Sequence, residues 1–290
     1  MSDKRKILVQ LDTDPQPSVF DRVVAIDAGA DEVFSYGGVK PEQVRDLVYG
    51  AIFTRGPDDL KHTAIFIGGS DVAAGERLLA EARKHVIPPA RLTVSMLLDA
   101  NGANTTAAAA VRAAARHLVL KGTPVLVLGA TGPVGQRVAL LLAREGSLVR
   151  VGSRQLSRAA SVCDAVRARA AAANLEPTAT GNLAELQSAL AGRVLVVAAG
   201  AAGAVLLPKA TRDSCSTLRI IIDLNAVPPL GVEGVEVTDK GTQRAGIIAY
   251  GAIGVGGTKM KVHKAAIARL FERNDQVLDA EEVYALAQSI

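Results

Sequence analysis

PVLVLGATGPVGQRVALLLAREGSLVRVGSRQ, residues 124–155, carries the pattern that decides the fold of this 290-residue chain. A short apolar run, PVLVL, gives way to glycines at 129, 132 and 135. A helical run follows at 133–145, and a second apolar run, SLVRVG, spans 147–152. Strand, glycine turn, helix and strand in this order make one parallel βαβ unit. The usual glycine signature is GxGxxG. Here Ala130 stands in its first position, and the glycines read as GxxGxxG. Gly129 permits the sharp turn out of the strand, Gly132 lets backbone approach a pyrophosphate, and Gly135 lets helix and sheet pack closely. Pro133 suits the first helical turn, whose N–H groups and dipole attract phosphate. Thr131 and Val134 complete the expected phosphate cradle.

The residues just past the second strand select the nucleotide. Chains that bind NAD place Asp or Glu about 20 residues past the glycines, where it bonds the ribose hydroxyls. This chain has Ser153, Arg154 and Gln155 there, and no acid before Asp164. A carboxylate would repel a 2′-phosphate, whereas Arg154 can hold one by charge-assisted bonds and lie against the adenine. Ser153 adds a hydrogen-bond donor and Arg158 further positive charge. NADP is therefore the expected cofactor.

Downstream, RVLVVAAG (193–200), RIIIDLN (219–225) and GIIAYG (246–251) read as strands, with a helical run at 156–173. KMKVHKAAIARLFER (259–273) and DAEEVYALAQS (279–289) read as helices. Ligands of open α/β sheets sit beyond the carboxyl ends of the strands. GAAG (200–203), NAVPPLG (225–231) and GAIGVGG (251–257) are thus read as ligand-facing loops, with Ala199, Gly200 and Asn225 as candidate contacts. Ordinary loop chemistry would also account for their glycines and prolines.

Upstream, KILVQL (6–11), DEVFSYGG (31–38), TAIFIGG (63–69) and RLTVSMLLD (91–99) read as strands. They alternate with helical runs at 18–29, 41–52 and 71–85, which implies a second parallel sheet covered by helices. The alanine-rich run at 101–120 is a helix that either links two domains or lies in one core. Polar residues cluster at the strand ends, in DTDPQPS (12–18), GGSD (68–71) and DANGANTT (99–106). From these and their flanks come the candidate substrate contacts Asp12, Ser18, Phe20, Asp21, Asp99, Asn101, Asn104 and Thr105. Phe20, Phe34, Tyr36, Tyr49, Phe53 and Phe66 all fall in the first 66 residues. Most of these rings are expected to fill the core, with Phe20, beside the polar loop, offered for stacking on a flat heterocycle.

Composition narrows the classes further. Hydrophobic residues make up 49% of the chain, enough for a large buried core. No apolar run approaches the ~20 residues that cross a bilayer, and the N-terminal MSDKRKILVQLD is too short for a signal-peptide core, so a cytoplasmic protein is expected. A net charge of +4 without basic blocks argues against nucleic acid but suits small anionic ligands. The four histidines lack metal spacing, and Cys163 and Cys215 form no CxxC pair, so no metal is expected. No GxSxG motif and no Ser-His-Asp pattern is evident. Hydride transfer needs neither: it needs two rings held face to face.

Six stretches carry a resemblance that goes beyond a shared nucleotide fold. They are DTDPQPSVFD (12–21), TAIFIGGSDVAAGER (63–77), LDANGANTTAAA (98–109), GATGPVGQR (129–137), NAVPPLGVEG (225–234) and GAIGVGGTKMKVHKAAIARLFE (251–272). In them the chain resembles the NADP-dependent methylene-tetrahydromethanopterin/methylene-tetrahydrofolate dehydrogenases of bacterial one-carbon metabolism. The resemblance implies a substrate (pterin) domain at 1–106, an NADP-binding Rossmann domain at 107–258, and C-terminal helices at 259–290 that return to the substrate domain. It also implies a homo-oligomer, with a trimer as the leading form. The implied reaction moves a hydride from the methylene carbon between two pterin-cofactor nitrogens to NADP+. Within the family's GGLK-like stretch the lysine corresponds to Lys259, which the resemblance makes the functional lysine. Its role is open, because an ammonium beside a forming cation is unfavourable. One departure stands out: the family carries Arg-Lys after the second strand, and this chain has Arg154-Gln155. One charge fewer weakens the grip on a 2′-phosphate and admits some NAD use. Competing readings are another NADP reductase sharing only the nucleotide half, a pterin- or nucleotide-binding protein without turnover, and an added methenyl cyclohydrolase activity.

Overall fold

The computed structural model describes residues 4–290. Met1, Ser2 and Asp3, the head of the stretch read as too short for a signal core, lie outside the described residues. The chain divides into two compact units, one running up to Thr105 and resuming at Met260–Ile290, the other Thr106–Lys259.

The first unit holds a five-stranded parallel sheet. Its elements in chain order are β1 (Ile7–Asp12), α1 (Val19–Asp27), β2 (Glu32–Tyr36), α2 (Pro41–Ile52), β3 (Thr63–Gly68), α3 (Val72–Ala82) and β4 (Ser95–Leu98). The strand order is β12-β4-β3-β1-β2, where β12 (Val277–Leu278) is supplied by the C-terminal segment and pairs with Met96 and Leu97 of β4. β3, TAIFIG, is buried at every residue, as a central parallel strand covered on both faces must be. The order of winding reverses between β1 and β3, which puts the switch point of this sheet at the loops after these two strands.

The second unit begins inside α4 (Ala103–Ala115), an alanine-rich helix whose Ala107–Ala110 and Ala113–Ala114 are buried. The helix therefore both carries the chain from one unit to the other and packs in a core. Then come β5 (Pro124–Leu128), α5 (Pro133–Arg144), β6 (Leu148–Ser153), α6 (Leu156–Arg169), β7 (Leu175–Ala179) and α7 (Leu183–Leu190). They are followed by β8 (Leu195–Ala198), α8 (Lys209–Asp213), β9 (Ile220–Asp223), β10 (Lys240–Arg244), β11 (Ile247–Tyr250) and α9 (Ala252–Leu270), and α10 (Ala280–Gln288) closes the chain. The seven-stranded sheet runs β10-β11-β9-β8-β5-β6-β7, parallel throughout except for β10 against β11. Leaving out the β10 edge, this is the doubly wound order, with its switch point between β5 and β8. The expected α/β class with a Rossmann-type sheet is what the chain forms.

Three readings need correction. GAIGVGG is not a loop: all but Gly251 opens α9. Gly254 explains the choice of residue, since a Cβ there would stand 2.7 Å from the Asp239 carbonyl carbon, so only glycine lets this helix lie on that backbone. The helical run expected at 156–173 ends at Arg169, and β7 and α7 follow it without an expectation of their own, because LEPTA lacks a continuous apolar signal. Phe34, Tyr36 and Phe53 do not fill the core; each is between 44% and 57% exposed. Phe66 does, at 1%. No helix among the described residues is long and apolar enough to cross a membrane.

Candidate active site

At the switch point of the second unit, β5 runs buried into Gly129, which takes φ +66°. A Cβ on Gly129 would sit 2.6 Å from the Gly200 nitrogen, so the turns after β5 and β8 touch through backbone alone. Gly135 is as tightly held: a Cβ would lie 2.7 Å from the Gly129 carbonyl oxygen and the Ala130 Cα. Gly132, the N-cap of α5, is different, because a Cβ there would reach the protein only at ordinary contact distance, 3.5 Å from Gly129 O. Its φ is −76°, which any residue adopts. The fold thus requires glycine at 129 and 135 and does not require it at 132. A ligand lying against the α5 N-terminus would. The turn is pinned by Ala130 N donating to Gly152 O (3.1 Å) and by Gln136 Nε2 donating to Thr131 O (2.8 Å). Thr131, Pro133 and Val134 line it, half-buried.

At the end of β6, Ser153 is buried and its Oγ accepts from Gln155 N (3.3 Å). Arg154 and Arg158 are exposed, and neither guanidinium has a hydrogen bond or ion pair to the described residues. Nearby arginines of the same unit are engaged: Arg150 pairs with Glu176 (2.8 Å) and Arg167 with Asp164 (3.2 Å). Two unpaired guanidiniums, one just past the strand tip and one in the first turn of α6, therefore have capacity left for an anion. These residues fit a phosphorylated dinucleotide: amides and a helix N-terminus for the pyrophosphate, and arginines for a further phosphate.

After β8, Ala199 N donates to Leu128 O (2.9 Å), which holds Ala199 and Gly200 beside the glycine turn. After β9, the loop 225–231 is braced from below by Asp223, to which no sequence motif pointed. Asp223 is buried; its Oδ1 accepts from Asn225 N (3.1 Å) and its Oδ2 from Val232 N (2.9 Å). Burial pushes its carboxyl above the usual range, against the pull of these backbone N–H groups. Gly231 is needed because a Cβ would stand 2.7 Å from Asp223 Oδ1. Asn225 works within the same loop: Nδ2 donates to Pro229 O (3.2 Å) and Oδ1 accepts from Val227 N (3.0 Å). The Pro228–Pro229 bond is cis.

In the first unit the loops after β1 and β3 interlock. Asp12 is wholly buried and holds its own loop: Oδ1 accepts from Asp14 N (2.9 Å), and Oδ2 from Ser18 N (3.0 Å) and Gln10 Nε2 (3.3 Å). Asp14 reaches across to Ser70, accepting from its N (2.9 Å) and its Oγ (2.8 Å). Ser18 caps α1, its Oγ accepting from Asp21 N (3.2 Å). Asp99, after β4, accepts from Thr105 N (3.0 Å) and Thr105 Oγ1 (2.7 Å). Asn104 is buried and donates to Leu98 O (2.6 Å) and to Asp279 Oδ1 (2.9 Å) at the start of α10. Asp12, Asp99, Asn104 and Thr105 thus brace the loops from inside. Asn101 is exposed, with a left-handed φ of +53°, and Phe20 is 50% exposed. The structure adds a residue no motif pointed to: His263 of α9, fully buried, lies against Phe20, Phe66 and Asp21. Lys259, half-buried, precedes it by one helical turn. No group of three His, Cys, Asp or Glu side chains among the described residues is arranged to hold a metal ion.

A doubly wound sheet with a glycine cradle at its switch point and arginines at the next strand tip defines a Rossmann-type dinucleotide-binding protein. Solved structures agree on the fold. Shikimate 5-dehydrogenase of Listeria monocytogenes, solved with shikimate and NAD, superposes with a TM-score of 0.58 at 14% identity, over 97% of this chain and 96% of that one. Sequence comparison is more specific. Residues 19–101 match the family described as methylene-tetrahydromethanopterin dehydrogenase, N-terminal. The Bifunctional protein MdtA of Methylorubrum extorquens is 46% identical over 288 residues, 99% of each chain. The NAD(P)-dependent methylenetetrahydromethanopterin dehydrogenase of the same organism is 30% identical over 304 aligned positions, again 99% of each. The chain belongs to the methylene-tetrahydromethanopterin dehydrogenase family.

Proposed function

We propose that this protein is a dehydrogenase that takes a hydride from methylene-tetrahydromethanopterin, and also from methylene-tetrahydrofolate, and delivers it to NADP+. The observation that carries the nucleotide half is the contrast at the glycine turn: Gly132 is free of protein contacts a Cβ would violate, and Arg154 and Arg158 stand unpaired nearby in sequence. In this reading Gly129, Thr131, Gly132, Pro133, Val134 and Gly135 cradle the pyrophosphate. Ser153, Arg154 and Arg158 take the 2′-phosphate, and Ala199, Gly200 and Asn225 border the nicotinamide end. The pterin half rests on family membership and on the exposed Phe20 ring, with Asp21 next to it in sequence and Asn101 past the end of β4 in the same sheet.

The C–H bond of the methylene carbon breaks with its electron pair, and the charge left behind is shared by the two flanking nitrogens of the product. Bound NADP+ supplies the hydride acceptor. The chain therefore needs no general base; its work is orientation and electrostatics. Lys259 hydrogen-bonds a pterin oxygen or nitrogen in this account, since a charged ammonium facing the reacting carbon would oppose the cation. A homo-oligomer fits an exposed apolar stripe on α1, where Val19, Val23 and Ile26 are 51–63% exposed at helical spacing.

The test is an absorbance assay at the NADPH band with each pterin against NADP+ and NAD+, on the wild type and Lys259→Met. Turnover with NADP+ favoured, and a loss of about tenfold or more in kcat for Lys259→Met with unchanged NADP+ binding, is the expected result. NAD+ preference would overturn the assignment to Arg154. No NADPH from either pterin would overturn the reaction.

A further inference from the structure

His263 is fully buried, and its ring stacks on Phe66 of β3 with centroids 5.8 Å and planes 24° apart. Phe20 of α1 lies 6.2 Å from it, tilted by 36°. Two phenyl rings alone would be packed as well by Leu or Phe, and an imidazole in apolar surroundings carries a desolvation cost that those residues avoid. The third neighbour is one that an imidazole meets and a phenyl or isobutyl group does not: His263 Nε2 is 4.0 Å from Asp21 Oδ1, within ion-pair range and too far for a hydrogen bond. The Asp21 carboxylate borders Gly68 at the end of β3, where a Cβ would meet Asp12 Oδ2 at 3.4 Å and Asp21 Oδ2 at 3.6 Å. A single imidazole thus touches the half-exposed ring and the carboxylate that follows it in sequence. Side chains of consecutive residues diverge by about 100° around a helix. One group that meets both therefore fixes the rotation of the first turn of α1.

We propose that His263 is a positioning residue for the pterin substrate: it holds the Phe20 ring and the Asp21 carboxylate in the orientation that receives the reduced heterocycle. The proposal rests on the dehydrogenase reading of the chain. Phe20 supplies the stacking face. Asp21, held at a fixed point, favours a product that carries one more positive charge than the substrate, and a carboxylate free to rotate loses that advantage. His263 touches neither ligand in this account and acts only through its two neighbours. Its position on α9, four residues past Lys259, puts both side chains on one face of that helix.

The experiment compares wild type with His263→Phe, which keeps an aromatic ring in the slot, and His263→Gln, which keeps a polar side chain. His263→Phe should lower kcat/KM for methylene-tetrahydromethanopterin by about tenfold and leave the KM for NADP+ within about twofold. His263→Gln should recover part of the loss. A double-mutant cycle of His263→Gln with Asp21→Asn decides the matter even if His263→Phe does not fold: positioning through Asp21 predicts effects coupled by about threefold or more. Independent effects would overturn the proposal, as would a His263→Phe enzyme with wild-type constants. A wild type that makes no NADPH with either pterin would instead overturn the dehydrogenase reading, so the two failures are distinguishable.

Discussion

Arg154 carries a positional signal: an acid at the tip of the second strand suits ribose hydroxyls, and a base there suits a 2′-phosphate. The exposed, unpaired guanidinium agrees with that reading. Arg154→Ala should raise the KM for NADP+ by about tenfold while barely changing the KM for NAD+, in steady-state kinetics with each nucleotide. Asp12, Asp99 and Asn104 look like ligand contacts in a sequence, since they are polar residues at strand ends. In the fold they also hydrogen-bond neighbouring loop groups, a bracing role that spacing does not show. His263 gave no signal, because α9 lies far along the chain from Phe20 and Asp21 and only folding brings them together. Asp223 was equally silent. Its raised carboxyl pKa makes a signed prediction: the folded state holds that proton more tightly than the unfolded chain does. Its contribution to stability is complete below the ordinary carboxylate range and is lost as pH rises through the raised value. Relative to Asp223→Asn, the melting temperature of the wild type should fall over that pH window; a relative rise would contradict the sign.

Among the elements, boundaries were clear where apolar runs met glycine or proline. α2 begins at Pro41 and α5 at Pro133, each at the first helical position. α9 shows where such reasoning fails. Glycine clusters signal turns locally, yet here three of them lie in the first two turns of a 19-residue helix. The cause is tertiary: Gly254 lies on the backbone of Asp239, where a Cβ does not fit, whereas Gly256 and Gly257 face open space. Glycine costs about 1 kcal/mol against alanine inside a helix, so the two kinds of position should respond oppositely. Gly254→Ala should destabilise the protein by about 2 kcal/mol or more, and Gly256→Ala should stabilise it by about 0.5–1 kcal/mol. Urea unfolding of both variants measures this; equal shifts would mean that packing of this helix is not what selects Gly254.

For the molecule as a whole, the α/β class was legible in alternating apolar and amphipathic runs, which are long and regular in this chain. The C-terminal contribution of β12 to the first sheet was not: two residues pairing with Met96 and Leu97 are too few to show a period. The apolar stripe on α1 also belongs to this scale. Val23→Glu with Ile26→Glu should lower the mass seen by light scattering after gel filtration, if that stripe is covered by another copy. Unchanged mass would assign the stripe another role. The central claim is that the hydride passes directly from the pterin's methylene carbon to the nicotinamide, and isotope transfer tests it most directly. With the methylene carbon dideuterated and NADP+ as acceptor in ordinary water, the account predicts that the NADPH formed carries deuterium at nicotinamide C4. Deuterium lost to solvent, with NADPH bearing only protium, would contradict it.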